Sequence, residues 1–165
     1  MNEPQQTYAA DTPITGTIDV QTIGGQLSRT TEWHLQQATR ALGRIERVNW
    51  KWKFWTYRAT IDLAHQRIEA NGAPGTRHLS INFTRADGQP IAQVIDQRVL
   101  EYKTERFALE GAASPDTLIS GTGTPVLGLH WQLQAVHHVD VLQPCPVELV
   151  LIATTACLLH ERPTD

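Results

Sequence analysis

A C-terminal segment almost free of charge most constrains what this 165-residue chain can fold into. It reads PCPVELVLIATTACLLHERP, and the run from Leu149 to Leu159 holds two threonines as its only polar residues. A threonine hydroxyl can bond back to a carbonyl of its own helix. Pro146 suits the first turn of a helix, and Glu148 places a carboxylate at the positive helix end. The segment therefore predicts a helix at about 146–160 that is apolar on every side.

A helix that is apolar all round is either buried on every side or spans a membrane. Crossing the hydrocarbon core takes about 20 apolar residues. The uncharged run here offers roughly 11 to 14 residues, which favours burial and predicts no transmembrane segment. The rest of the chain then has to surround the helix.

The chain before this helix has the alternation of apolar and polar residues that is typical of strands, from about residue 14 to 141. In LSINF (79–83) the three apolar residues share one face, and Asp87-Gly88 in the following TRADGQP predicts a hairpin turn. The stretch IDLAHQRIEANG (61–72) fits either a helix or strands. VLGLHWQLQAVHHVDVL (126–142) predicts one long two-faced strand with a bend.

Strands around a buried helix are most simply arranged as a closed or nearly closed antiparallel β-barrel, which also removes strand edges. The sequence predicts this fold as a single domain over 14–165, with a disordered tail over 1–13. The alternative is a layered α+β fold, with the helix under one sheet and loops over its back.

Two long stretches resemble the tubby C-terminal-like superfamily, and in particular LURP-one-related proteins and phospholipid scramblases. They are HLSINFTRADGQPIAQVIDQRVLEYKTERFAL and LHWQLQAVHHVDVLQPCPVELVLIATTACLLHE, and WHLQQATRALGRIERVNWKWKFWTY looks like a worn copy of the first. The resemblance implies about twelve strands around the terminal helix and a non-enzymatic role in binding lipid headgroups. The acidic calcium segment of scramblases is not matched, because VLQPCP has no carboxylate, so calcium dependence is not carried over.

The charge distribution suggests where a partner would bind. The net charge of −3 and the pI of about 6.1 argue against a nucleic-acid binder. Residues 29–58 nevertheless hold seven arginines and lysines against two glutamates. This excess predicts a basic sheet face for an anionic phospholipid, a phosphorylated ligand or a protein partner, with five candidate contacts: Arg44, Arg47, Lys51, Lys53 and Arg58. The alternative is an ordinary solvated face whose basic residues blunt strand edges.

The aromatic run NWKWKFWTY (49–57) alternates at the period of a strand. The alternation predicts that three aromatic residues, together with Val48, point inward against the terminal helix: Trp50, Trp52 and Phe54. Lys51 and Lys53 then point outward. Trp55 and Tyr57 lie on the same outward face and are predicted to be exposed aromatic contacts for the partner.

Histidines raise the question of a metal. His130, His138 and Asp140 share one face of the predicted long strand, and ligands two residues apart can meet one ion. His130 lies further back along that strand, and a third ligand would have to come from elsewhere in the chain and cannot be identified. A solvated or turn-facing cluster is therefore favoured, and no metal site is assigned. His137 falls on the apolar face and is predicted to be a hydrogen-bonded core residue.

The sequence offers no nucleophile context and no phosphate-binding loop, so no catalytic residue and no cofactor are assigned. A non-enzymatic protein is favoured. One alternative is a carrier or enzyme whose cavity would be lined by three tryptophans and a histidine: Trp33, Trp50, Trp52 and His137. Another is a pure interaction subunit or an inhibitor of another protein.

The two cysteines point to a reducing compartment. If Cys145 and Cys157 share one helix they lie about 18 Å apart, too far for a disulfide, and both are predicted to be free. The start MNEPQQTYAADTP has no apolar signal core. We therefore expect a cytoplasmic protein that could associate with a membrane only peripherally. The oligomeric state is not predicted.

Overall fold

Twelve antiparallel strands close into a barrel in the computed structural model, which describes residues 8–24, 28–51, 54–74, 79–111, 115–132 and 135–160. Each strand pairs with its neighbours in the sequence, and the first strand pairs with the last. The sequence prediction of a closed antiparallel barrel is thereby confirmed.

The strands are numbered in chain order, and a single helix follows them in the described residues. They are β1 (Pro13–Ile23), β2 (Thr30–Gln37), β3 (Arg40–Lys51), β4 (Phe54–Leu63), β5 (Gln66–Pro74), β6 (Leu79–Arg85), β7 (Pro90–Ile95), β8 (Val99–Tyr102), β9 (Glu105–Glu110), β10 (Thr117–Ser120), β11 (Pro125–Gln132), β12 (Ala135–Pro146) and α1 (Val147–His160).

Antiparallel pairing resolves one ambiguous stretch and corrects the prediction for another. Residues 61–72 form the end of β4, a turn and most of β5, so the strand alternative is correct. The prediction of one long bent strand over 126–142 is wrong, because this stretch forms most of β11 and most of β12, which pair with each other antiparallel. The predicted turn at Asp87-Gly88 is confirmed. Gly88 has a φ of 87°, which favours glycine, and its N–H donates to the Arg85 carbonyl at 2.9 Å.

The helix α1 lies inside the barrel, and all thirteen residues from Val147 to Leu159 are buried. It packs against β3, β4, β6 and β12, and inward side chains of the strands complete one apolar core around it. The Thr155 hydroxyl donates to the Leu151 carbonyl at 2.7 Å, so this buried polar group is satisfied within the helix. The prediction of a buried apolar helix at about 146–160 is confirmed.

The helix packs tightly against β3 at Gly43. A Cβ atom built on Gly43 would lie 2.9 Å from Leu151 Cδ1 and 2.6 Å from the Asp62 carbonyl oxygen. Both distances are shorter than ordinary van der Waals contact. This position of the barrel wall therefore has room only for glycine, whose side chain is a hydrogen atom. The strand therefore bears on the middle of the helix.

The N-terminal end of α1 is capped by the segment that precedes β1. The N–H groups of Val147 and Glu148 donate to the carbonyls of Thr12 and Ala10 at 3.1 and 2.9 Å. These are orphan donors of the first helical turn, so their pairing lowers the cost of burying the helix end. Residues 8–12, predicted to belong to a tail, are thus bonded to the barrel, whereas residues 1–7 lie outside the described residues.

A buried carboxylate marks the same end of the helix. Glu148 is 2% exposed, and its side chain accepts a hydrogen bond from the Tyr102 hydroxyl at 2.8 Å. The Arg85 guanidinium lies 3.4 Å from its other oxygen. Burial, and then the neighbouring Glu148, raises the pKa of Tyr102, so this phenol stays a hydrogen-bond donor. The wall thereby satisfies the one charge that the helix carries inside the barrel.

A buried arginine marks the opposite end. Arg47 on β3 is 3% exposed, and its Nη1 donates to the Leu158 carbonyl at 2.8 Å. The last carbonyls of a helix have no intrahelical donor and carry partial negative charge. A guanidinium from the wall therefore caps the C-terminal end of α1.

The cysteines occupy different elements. Cys145 lies in β12 and Cys157 in α1, so the prediction that they share one helix is wrong. Both are buried and free, as predicted. Burial raises the pKa of Cys145 to about 11 and raises that of Cys157 as well, which keeps both thiols protonated and unreactive.

Candidate functional site

The predicted basic face over β3 is neutralised where Arg44 lies. Its Nη2 is 3.0 Å from the Asp62 carboxylate on β4, and its Nη1 is 3.4 Å from Glu32 on β2. Asp62 also pairs with Arg67 at 3.0 Å. Although burial opposes it, hydrogen bonding to both arginines lowers the pKa of Asp62, so the carboxylate stays charged. The middle of this face is thus a network of both signs rather than a free positive surface.

Arg47 was predicted to lie on that exposed face and instead points into the barrel. Ile45, Arg47 and Asn49 are all buried, so the inward side of β3 is the side that carries Arg47. Its guanidinium is engaged with the C-terminal end of α1. Arg47 is therefore a structural residue at this site and is removed from the set of surface contacts.

Which residues of the aromatic run point inward and which point outward can be determined only at the start of the run. Val48 is exposed and Asn49 is buried, which is the reverse of the predicted alternation. The Asn49 amide donates to the Thr31 hydroxyl at 2.8 Å and to the Ser28 carbonyl at 3.0 Å, and this bonding explains how a polar residue occupies an inward position. A register shift between β3 and β4 follows directly after Val48.

The remainder of the run lies largely outside the described residues. Trp52 and Lys53 are not described, and only the backbone is described for five further residues: Trp50, Lys51, Phe54, Trp55 and Thr56. In that backbone Trp50 pairs with Trp55, and Lys51 pairs with Phe54. The predicted inward tryptophans and outward lysines therefore stay predictions. Tyr57 is partly buried and packs against the core, so it is less available than predicted.

Basic and apolar side chains meet at the end of the barrel where α1 ends. Arg58 is exposed and lies opposite Val48 across the β3–β4 pair. Arg29 is exposed directly before β2, and its carbonyl accepts a hydrogen bond from the Asn49 N–H at 2.9 Å. Ile23, at the end of β1, is 47% exposed. We call this region, with the backbone of Lys51, the basic end.

A second cluster lies on the outer face of β11 and β12. His130 Nε2 is 2.8 Å from Asp140 Oδ2, and His138 Nε2 is 3.7 Å from the same oxygen. The two imidazole rings stack with centroids 4.4 Å apart. Sequence reasoning placed these three residues on one face, but it did not find that a hairpin sets His130 directly opposite His138.

His137 departs from its prediction. It is exposed rather than buried in the core, because β12 bulges here. His130 pairs with His138, whereas the next residue of β11, Trp131, pairs with Val136, so His137 is the extra residue. Trp33, which was predicted to line a cavity together with His137, is buried in the core, so Trp33 and His137 line no common cavity. The side chains of the other two predicted lining residues, Trp50 and Trp52, lie outside the described part of the structure.

A groove of about 690 Å³ lies on the outside of the barrel near the N-terminal end of α1. Its wall includes Asn82, Gln93 and Glu101, which lie side by side on β6, β7 and β8, and its far end includes Arg85 and Lys103. The Glu101 carboxylate already accepts from Gln93 at 2.7 Å and from Arg106 at 2.8 Å. The groove is therefore polar, and part of its hydrogen-bonding capacity is already used by bonds among the protein's own side chains.

Comparison of the chain with protein-family models, with curated proteins and with solved structures found no match. Within the described ranges no helix is both long and apolar enough to cross a membrane.

Proposed function

We propose that the protein is a non-enzymatic binding module that holds an anionic phospholipid headgroup at the basic end of the barrel. The observation that carries this proposal is the helix inside the barrel, since residues 147–159 are all buried and occupy the space a carrier would need for its ligand. A partner is then bound on the outside.

The choice of the basic end rests on the kinds of side chain that meet there. Arg29 and Arg58 are exposed beside the exposed apolar residues Ile23 and Val48. Cationic groups attract anionic lipids, and neighbouring apolar side chains can enter the headgroup region. The middle of the β3 face lacks this combination, because Arg44 is already paired with Glu32 and Asp62.

The resemblance to the tubby C-terminal-like superfamily supports the same class of ligand, and the twelve-stranded barrel with its C-terminal helix is compatible with that fold. The same positive charge would also attract a soluble phosphorylated ligand or an acidic protein surface. These are outcomes of the test rather than separate proposals.

Liposome co-sedimentation tests the proposal. We expect binding to vesicles that contain anionic phospholipid, weak binding to neutral phosphatidylcholine, and a loss of binding as salt is raised. Lys51→Glu, Lys53→Glu and Arg58→Glu should each weaken binding several-fold, at about a kilocalorie per mole for each charge near the surface.

Lys103→Glu is the matched control, because this exposed lysine lies in the β8–β9 turn at the opposite end of the barrel. It should bind as the wild type does. Equal binding to neutral and anionic vesicles, or to neither, would overturn the proposal. Release of bound protein by soluble inositol phosphate, at concentrations where simple salt has no effect, would identify the phosphorylated headgroup as the recognised part.

A further inference from the structure

The cluster on β11 and β12 has the residues and the spacing of a metal centre. His130 and His138 are direct cross-strand partners, and Asp140 follows two residues after His138 on the same face of β12. The residue opposite Asp140 is Gly128, which has no side chain to cover the carboxylate. All three side chains therefore converge on the outer surface.

The distances between donor atoms suit one small ion. In a tetrahedral site with bonds of about 2.0–2.1 Å, neighbouring ligand atoms lie roughly 3.3 Å apart. Asp140 Oδ2 is 2.8 Å from His130 Nε2 and 3.7 Å from His138 Nε2. The ligand atoms of the three residues all lie within 4.8 Å of one another. Movements of up to roughly 1.5 Å by these exposed or partly exposed side chains would bring the ligand atoms to that spacing.

The surroundings hold the ligands in the orientation that a metal needs. A metal-ligating histidine commonly donates its other ring N–H to a neighbour, and ligating carboxylates are themselves hydrogen-bonded. His138 Nδ1 lies 2.9 Å from His137 Nδ1, and the Thr17 hydroxyl donates to Asp140 Oδ1 at 2.9 Å. These contacts leave both Nε2 atoms and Asp140 Oδ2 available as ligand atoms beside one another.

The bulge in β12 is an independent sign that this position is built. It turns His137 outward, beside His138, where regular alternation would have sent it into the core. Bulges commonly redirect a side chain next to a functional site. The bulge thereby supplies the imidazole whose Nδ1 lies 2.9 Å from His138 Nδ1.

We propose that His130, His138 and Asp140 bind a divalent transition metal, of which Zn²⁺ is the ion best suited to the ligand set. Two imidazoles and one carboxylate leave a fourth tetrahedral position open to solvent, for water or for a ligand from outside. Ca²⁺ is a poor fit, since it takes six to eight oxygen ligands. Thr17 lies on β1, so the metal centre also sits at the seam where the first strand closes on the last.

Titration of tag-free protein with Zn²⁺ by calorimetry, and with Co²⁺ by visible absorption, tests the proposal. We expect one ion per chain, the absorption of tetrahedral Co²⁺, and a higher melting temperature when metal is bound. His130→Ala, His138→Ala and Asp140→Ala should each weaken binding about a hundredfold or more. Thr17→Val and His137→Ala should weaken it about tenfold, because these residues only orient the ligands.

His65→Ala is the control, since this exposed histidine lies in the β4–β5 turn, far along the chain from the cluster. It should leave the affinity unchanged. If the wild type and the three alanine variants at the ligand positions bind Zn²⁺ with the same affinity, whether strong or weak, the proposal is overturned. The cluster is then an ordinary histidine–aspartate ion pair. Circular dichroism of each variant ensures that only folded proteins are compared.

Discussion

The two ends of the buried helix carry opposite charges, and the barrel satisfies them in different ways. At the N-terminal end the helix supplies the charge, and the wall supplies the partners, since Glu148 is bonded by Tyr102 and approached by Arg85. At the C-terminal end the wall supplies the charge, and the helix supplies only backbone carbonyls, one of which accepts from Arg47. Both arrangements follow the helix dipole, which favours an anion at the first turn and a cation at the last.

This difference explains why the charged residue at the N-terminal end of the helix could be predicted from the sequence, whereas the one at the C-terminal end could not. A glutamate at the start of an uncharged segment stands out, because the charge and the helix are read from the same stretch. An arginine on a strand gives no such sign, because its role depends on a helix more than a hundred residues away. Arg47 was therefore assigned to the exposed face together with its neighbour Arg44.

The largest effect is expected from Glu148→Ala. The substitution leaves the buried Tyr102 hydroxyl and the partly exposed Arg85 guanidinium without their common acceptor. Removing one partner of such a group costs about 3 kcal/mol in the free energy of unfolding. Urea denaturation measures it. Glu148→Gln keeps the acceptor oxygen and should cost about half as much. Equal and small losses for both would show that the carboxylate contributes little.

Arg47→Ala should cost about 2 kcal/mol, because a charged hydrogen bond to the Leu158 carbonyl is lost inside the barrel. The matched control is Arg44→Ala on the same strand, whose outward ion pairs should be worth about 0–1 kcal/mol. A loss at Arg44 as large as that at Arg47 would contradict the inward assignment, and would favour the predicted phase of β3.

Gly43→Ala tests whether the barrel wall also packs tightly against the middle of the helix. The added methyl group would meet Leu151 and the Asp62 carbonyl, and overpacking of this kind costs about 1–2 kcal/mol. Gly121→Ala is the control, because a Cβ atom there would meet its nearest neighbour, the Arg106 carbonyl oxygen, only at 3.6 Å. Thermal melting of both variants should show a clear decrease in Tm for Gly43→Ala and none for Gly121→Ala.

The smallest effect concerns pH at the C-terminal end. Burial lowers the pKa of His160 below its ordinary value of 6.5, outweighing the hydrogen bond that its ring N–H donates to the Ala156 carbonyl, and the nearby Arg47 lowers it further. The unfolded chain then binds the proton more readily than the folded one, so the contribution of His160 is complete above about pH 6.5 and is lost as the pH falls below it.

Urea denaturation of the wild type and of His160→Gln at about pH 7.5 and 5.5 measures this contribution. The other histidines titrate in both proteins, so a smaller acid-induced loss in the variant is assigned to His160. Identical losses would mean that this residue does not report on the C-terminal end.

The fold could be predicted from the sequence because its main determinant is local. The short length of the uncharged run in α1 favours burial over a membrane span. The alternation in residues 79–83 and the Asp87-Gly88 turn are likewise recognised within a few residues. Closure of the barrel then followed from the need to surround the helix. None of these inferences required knowledge of which strand lies opposite which.

The candidate sites could not be predicted as well, because they depend on register. A shift of one residue exchanges the two faces of a strand, and β3 carries its buried residues at Arg47 and Asn49 rather than at Val48. In one long strand His130 would lie about 26 Å from His138, at about 3.3 Å per residue. The hairpin sets them face to face, and the bulge at His137 has no signature in the sequence alone.

Hydrogen exchange followed by mass spectrometry, with and without anionic vesicles, tests most directly whether the helix stays inside while the partner binds outside. The amides of residues 149–158 should exchange most slowly in the free protein and should stay equally protected on vesicles, whereas added protection should appear over residues 48–60. Loss of protection in the helix when vesicles are added, with no change over residues 48–60, would contradict the account.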